Sequence, residues 1–168
     1  AKEDGIFCGG ELIKLIFEKI DPQVDIQLLI KDGQKFEKNQ RLLELQGPSS
    51  SLVAGERVTL NVAMHLSGIA TYTALLVSKL SGSNVKLVDT RKTTPGIRIF
   101  EKYAFSCGGG INHRLGLDDA AMLKENHIAW SKGISQSIKV LKQKIPWTKK
   151  IIVEAETPTQ AKEAVEAG

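Results

Sequence analysis

A chain of 168 residues that is 42% hydrophobic and 25% charged has an ordinary globular make-up, able to bury one core or a core and a small second lobe. Two cysteines, Cys8 and Cys107, have neither metal-ligand spacing nor the density of a disulfide scaffold and read as reduced structural thiols. No apolar run approaches the roughly 20 residues of a membrane span and no leader pattern opens the chain, so a cytoplasmic location is the expectation; the net charge of +4 suits nucleic acid, anionic lipid or anionic metabolites alike.

The opening Ala1-Lys2-Glu3-Asp4-Gly5 has no methionine, which suggests a start inside a longer protein, or processing. From Glu11 to Ile20 the apolar residues Leu12, Ile13, Leu15, Ile16 and Ile20 predict a short amphipathic helix ended by Asp21-Pro22. Val24 to Ile30 and Arg41 to Leu45 read as strands flanking Lys31-Asp32-Gly33, a strong turn signal. Lys31, Lys35 and Lys38 alternate with acids and amides and read as a solvated face. Residues 1–50 are thus expected to form an N-terminal α/β lobe.

Residues 51–84 are assigned to a linking helix, because Val62, Leu66, Ile69, Thr73, Leu76 and Leu80 recur at steps of four and three between Leu60 and Leu80. His65 within it receives no chemical role. Beyond residue 84 strand and helix alternate: Val85 to Val88 then Pro95 to Tyr103, Ala120 to Lys124 then Gly133 to Lys144, and Lys150 to Glu156 then a helix opened by Thr157-Pro158-Thr159-Gln160. That last tetrapeptide is a capping box with proline at the first helical position. Repeated βα units imply a parallel sheet, and residues 85–168 are read as part of an α/β barrel. A closed eight-stranded barrel needs about 250 residues, so a fragment of a larger barrel is expected; the rival is a small open α/β sheet.

In parallel α/β folds, catalytic groups collect at the C-terminal ends of strands. Here Asp89-Thr90-Arg91-Lys92-Thr93-Thr94-Pro95-Gly96 follows the first strand, Lys124-Glu125-Asn126-His127 the second, and Glu154-Ala155-Glu156 ends the third. Between the first two lies Gly108-Gly109-Gly110-Ile111-Asn112-His113-Arg114, a glycine run read as bringing backbone amides close to a ligand. Arginine forks match carboxylate or phosphate and lysine supplies a compact charge, so Arg91, Lys92, His113, Arg114 and Lys124 are expected to meet around one polyanion. Glu154 and Glu156, two apart on a strand, share a face, and either suits Mg²⁺ or a cationic sugar.

These segments, with Glu101-Lys102-Tyr103-Ala104, Glu56-Arg57-Val58-Thr59-Leu60-Asn61 and Leu66-Ser67-Gly68-Ile69-Ala70-Thr71, resemble quinolinate phosphoribosyltransferase over essentially the whole chain. The resemblance implies an N-terminal α/β lobe and an incomplete or open α/β barrel in a homodimer or higher oligomer. It also implies a pentosyltransferase that joins quinolinate to phosphoribosyl pyrophosphate with Mg²⁺, giving nicotinate mononucleotide, pyrophosphate and carbon dioxide in NAD biosynthesis. On that resemblance Arg91, His113 and Arg114 hold the quinolinate carboxylates with Arg57 from a partner subunit. Lys92 and Lys124 serve substrate phosphates and carboxylates, and Glu154 faces the ribose or its metal.

The chain departs from the family pattern at Val58, Glu125 and Ile152, and a later Asp-containing strand and phosphate-binding glycine loop are not in it. A fragment of this extent is not expected to be active alone. Two other readings stay open: a related molybdenum-transport protein of the same architecture, and a non-catalytic anion- or nucleic-acid-binding module. The last is disfavoured because aromatics are 5% of the chain, with Trp130 and Trp147 apart from the cationic segments.

Overall fold

Gly9, in a left-handed conformation at φ 112°, turns the chain into the first helix of the computed structural model, which describes residues 1–131 and 133–168. These fall into two units, Ala1–His113 and Arg114–Gly168. In the first, β1 (Gly5–Ile6) pairs antiparallel with β3 (Lys35–Phe36), and β2 (Asp25–Leu28) with β4 (Leu43–Gln46). The Asp-Gly turn therefore joins β2 to β3 rather than closing a hairpin between the two expected strands. Asp32 Oδ1 accepts from the N–H groups of Gly9 and Gly10 at 3.1 and 2.9 Å, so it caps α1 (Gly10–Ile20) in place of a local capping side chain.

The helix buries one stripe. Ile13 and Phe17, four apart, lie fully inside a cluster with Phe7, Val24, Ile30 and Phe36, and burial of each such side chain contributes about 1.5–3 kcal/mol. Against it runs α2 (Ser49–Lys79), near the expected 51–84 and starting well before Leu60, where its apolar spacing begins. Gly55 falls inside that early part, and a Cβ there would collide with the Phe17 ring; the glycine is a fitted gap rather than a helix stop. Leu66, Ala70 and Thr73 are buried, at the four-and-three spacing the sequence displays.

The reading that no apolar run reaches membrane-spanning length is corrected by α2, which contains an 18-residue window of mean hydropathy 1.4. Its inner face is nonetheless tied to protein: Thr71 Oγ1 accepts from the Ile6 N–H at 2.8 Å and Ser67 Oγ from the Cys8 N–H at 3.0 Å. After α2, Val85–Val88 forms no strand. A single parallel bridge joins Val88 to Ile111, and Val85 and Val88 are 63% and 49% exposed, so among the described residues that segment lacks the neighbour that would extend its pairing. Between the two bridge residues lies α3 (Arg98–Cys107), the crossover helix of a βα unit, shifted toward the C-terminus from the expected Pro95–Tyr103.

The second unit begins at Arg114. Its strands β5 (Ala121–Leu123) and β6 (Ile151–Val153) are parallel, with Met122 opposite Ile152. They are joined through α4 (Glu125–Trp130) and α5 (Ile134–Lys144) and followed by α6 (Pro158–Glu166). Leu123, Ile134 and Ile138 make the core. At α6 the expected capping box is in place: Thr157 Oγ1 accepts from the Gln160 N–H, and Gln160 Oε1 accepts from the N–H groups of Thr157 and Glu156. The fold is α/β, as expected, with β6 ending at Val153 rather than Glu156. Glu154 and Glu156 consequently do not share a strand face; the backbone of Glu156 belongs to the α6 cap.

Candidate active site

Asp89 follows the bridge residue Val88, and its carboxylate organises the first unit's candidate residues. Its Oδ1 accepts from Lys102 Nζ at 2.6 Å and from the His113 N–H at 2.7 Å. Lys102 Nζ also donates to the His113 carbonyl at 3.0 Å. The Asn112 amide, oriented by its neighbours, donates to Asp89 Oδ2 and the Lys102 carbonyl and accepts from Ser106 Oγ. The Lys102 and Asp89 side chains are only 4% and 9% exposed. Two charges taken out of water are tolerated when further hydrogen bonds satisfy their donors and lone pairs, and here the His113 carbonyl, the His113 N–H and the Asn112 amide supply such bonds. The network pins His113 to the residue two positions before Arg91.

The loop after Asp89 is held at further points. Thr90 Oγ1 accepts from the Lys92 N–H at 3.1 Å, Arg98 Nε donates to Thr93 Oγ1 at 3.1 Å, and the Thr94 N–H donates to Glu101 Oε2 at 3.0 Å. The other oxygen of Glu101 lies 2.8 Å from His65 Nε2, so His65, given no role from sequence, supports this loop through Glu101. Burial works to raise the Glu101 carboxyl, but the Thr94 hydrogen bonds and His65 outweigh it and hold the group below its ordinary value. Lys92 is exposed and Arg91 half-buried. Arg91 Nε is buried and, among the described residues, has no acceptor.

The glycine run has a different purpose from the one expected. The N–H groups of Gly108, Gly109, Gly110 and Ile111 donate to the carbonyls of Ala104, Ser106, Phe105 and Leu87, so these amides close α3 and the bridge rather than face a ligand. A Cβ on Gly108 would collide with the Ala70 carbonyl and Thr73 of α2, and one on Gly110 with the Phe105 ring. The run is a packing requirement.

In the second unit, parallel pairing puts the ends of β5 and β6 at one edge, and the residues just beyond them meet: Lys124 Nζ lies 2.9 Å from Glu154 Oε1. Both side chains are more than 40% exposed. The Lys124 N–H donates to His127 Nδ1 at 3.1 Å, so His127 caps α4 and fixes the backbone that carries Lys124. Arg114 Nη1 donates to the Ala120 carbonyl at 2.8 Å, and Nη2 lies 3.3 Å from Met122 Sδ. Arg57 is exposed on α2.

The sequence did not single out Asp89, Lys102, Asn112, Glu101 or His127 for these parts, although each sits in a motif quoted above. It also did not bring together Cys8, which is fully buried, and Cys107. Burial, aided by Cys107 and Asp32, pushes the Cys8 thiol well above its ordinary range; burial and Asp32 do the same to the Tyr103 hydroxyl.

The family models described as the quinolinate phosphoribosyl transferase N-terminal and C-terminal domains match residues 1–67 and 69–168. A probable nicotinate-nucleotide pyrophosphorylase (carboxylating) of Bacillus subtilis is 46% identical over 168 residues, all of this chain and 58% of that relative. One from Synechocystis is 42% identical, over 98% of this chain and 56% of its own length. The crystal structure of NadC from Streptococcus pyogenes superposes with a TM-score of 0.95 at 43% identity, covering the whole of this chain and 60% of that one. The nicotinate-nucleotide pyrophosphorylase of Francisella tularensis gives 0.96 at 40% identity, over 99% and 59%. The chain thus spans a little over half the length of these relatives. Matched by both domain models in order along its length, it belongs to the quinolinate phosphoribosyl transferase family.

Proposed function

We propose that the protein to which this chain belongs transfers the phosphoribosyl group of phosphoribosyl pyrophosphate to quinolinate, releasing pyrophosphate and carbon dioxide and leaving nicotinate mononucleotide. The observation that carries the reading is the buried Asp89 clamp, which binds His113 through both its N–H and, via Lys102, its carbonyl. A structure that ties up this much buried polarity to fix one histidine backbone and the start of an arginine-lysine loop is suited to presenting preorganised positive charge. Arg91, whose buried Nε has no acceptor among the described residues, has donor capacity for a carboxylate.

In this reading Arg91, His113 and Arg114 take the quinolinate carboxylates, with Arg57 supplied by a partner subunit of a homodimer or higher oligomer. Lys92 and Lys124 take phosphate and carboxylate oxygens. No protein nucleophile is needed: the pyridine nitrogen bonds to the anomeric carbon as the bond to pyrophosphate breaks, through a centre with oxocarbenium character, and positioning with fixed charge supplies the acceleration. The ribosylated nitrogen is then cationic, and its charge stabilises the ring carbanion left as carbon dioxide departs, which takes up a proton to give nicotinate mononucleotide.

Glu154 offers a half-exposed carboxylate already paired with Lys124, which fits Mg²⁺ held chiefly by the substrate's phosphates rather than by a protein cage. Mg²⁺ would neutralise the leaving pyrophosphate, with Glu154 the residue that would hold it. A cytoplasmic location, with neither membrane nor nucleic acid as partner, belongs to the same proposal. The test is quinolinate-dependent formation of nicotinate mononucleotide by the full-length protein with phosphoribosyl pyrophosphate and Mg²⁺; no product at saturating substrates would overturn it.

A further inference from the structure

We propose that Cys8, Asp32 and Cys107 form a binding site for a soft divalent cation of the zinc and cadmium class, separate from the phosphoribosyl transfer chemistry. Cys8 lies in the connection from β1 to α1, Asp32 in the Asp-Gly turn, and Cys107 at the last position of α3. Their two sulfurs and a carboxylate oxygen all lie within 4.8 Å of one another. Ligands at about 2.3 Å for sulfur and 2.0–2.2 Å for oxygen around a tetrahedral ion are roughly 3.3–3.8 Å apart, so from separations within 4.8 Å closing on a metal asks for a contraction of at most about 1.5 Å.

The supporting contacts have the form a metal site requires. Asp32 Oδ1 is fixed by the Gly9 and Gly10 N–H groups, and Oδ2 receives Tyr103 Oη at 3.0 Å. The carboxylate is therefore oriented from both sides, as the outer partners of metal ligands orient theirs. Cys8 is held by Ser67, whose Oγ accepts from its N–H and donates to its carbonyl. The turn bearing Asp32 backs onto the end of α3: a Cβ on Gly33 would sit 3.5 Å from the Cys107 carbonyl.

A buried and a partly buried thiol beside Leu66, Ala70 and Ala104 alone would read as ordinary core packing. A carboxylate oxygen within 4.8 Å of both sulfurs adds a third donor to that pair, on a side chain that its α1 cap already holds in place. The donor set itself selects the ion. Two thiolates and one carboxylate favour zinc or cadmium, whereas Mg²⁺ takes oxygen ligands and keeps its water. Binding releases both thiol protons to solvent, and three protein ligands leave a fourth position for water or for Tyr103 Oη. The ion would join the α1 N-terminus, the Asp32 turn and the end of α3, which leads directly into Gly108 and the clamp at His113.

The test uses the reduced full-length protein titrated with Cd²⁺ and read by thiolate-to-metal charge-transfer absorption in the ultraviolet, with Zn²⁺ competition against a chromophoric chelator. One ion per chain, unaffected by excess Mg²⁺ and accompanied by a raised Tm, is expected. Cys8→Ala and Cys107→Ser should each abolish the absorption, and Tyr103→Phe should weaken binding roughly 10- to 100-fold, as loss of an outer partner does. Should Cys8→Ala fail to fold, Cys107→Ser and the wild-type Tm shift decide. The proposal fails if Cd²⁺ gives no charge-transfer band, if the band survives in either cysteine variant, or if the two thiols prove to be joined in a disulfide and take up no ion after reduction. Because metal uptake is read without substrates, its failure is distinct from failure of the transferase reading.

Discussion

The two units each hold a lysine-carboxylate pair, and the pairs differ in kind. Asp89 and Lys102 are almost wholly buried and share partners with Asn112 and His113, while Lys124 and Glu154 stand more than 40% exposed with one contact between them. Burial determines what each can do. An internal pair held by several further hydrogen bonds fixes backbone and is not available to exchange partners. An exposed pair is weak, screened by salt and easily re-partnered, the property wanted of groups that must let substrate in and product out. The first unit builds a scaffold; the second keeps its charges available.

Breaking the buried pair gives the largest expected effect. Asp89→Ala leaves a buried ammonium without its counter-charge and should destabilise the protein by roughly 3–5 kcal/mol, measured by urea denaturation, with quinolinate affinity lost alongside. The double variant Asp89→Leu/Lys102→Met sharpens the point. Two apolar side chains in place of the pair should recover much of the stability, yet quinolinate binding should stay impaired, because nothing then holds the His113 N–H. Recovery of both would mean that the pair only fills space.

Next in size is Gly108→Ala, whose methyl group collides with the Ala70 carbonyl and Thr73. A loss of about 1–3 kcal/mol is expected, read as a lowered Tm. No loss would restore the reading of the glycine run as a ligand cradle.

How legible these features are in the sequence depends on how local their causes are. The Thr157 cap was readable because all its parts lie within four residues. Lys124 and Glu154 were readable as strand-end groups, since parallel strands bring their C-terminal ends together whatever the rest of the chain does. The phase of α2 followed from its apolar spacing, and its extent came within a few residues of the expected 51–84; why a glycine stands at position 55 inside it shows only when Phe17, far away in the chain, is seen against it. Lys102 reads as a surface residue by type, and its burial becomes tolerable through Asp89 and the His113 carbonyl, which the fold brings to its ammonium. Cys8, Asp32 and Cys107 have no spacing signal at all, being brought together by β1, the Asp-Gly turn and α3.

A smaller effect should follow pH through Glu101, which ties Thr94 and His65 together. Its folded carboxyl lies below the ordinary 4.5, so it contributes stability that is fully present above that value and is lost as pH falls through the depressed one. The difference in urea midpoint between wild type and Glu101→Gln should therefore be largest near neutrality and shrink in acid. A difference that grows in acid would contradict the assignment.

The exposed pair should give the smallest stability change and still matter to turnover. Glu154→Gln keeps the shape of the side chain and removes the charge facing Lys124, and exposed pairs of this kind contribute about 0.2–1 kcal/mol, so the unfolding midpoint should barely move and should move less still in high salt. Product formation in the full-length protein should nonetheless fall, because the carboxylate proposed to face the ribose or its Mg²⁺ has gone while Lys124 remains. If Glu154→Gln instead unfolds the protein as readily as Asp89→Ala does, the exposed pair is as much scaffold as the buried one, and the division of labour between the two units does not hold.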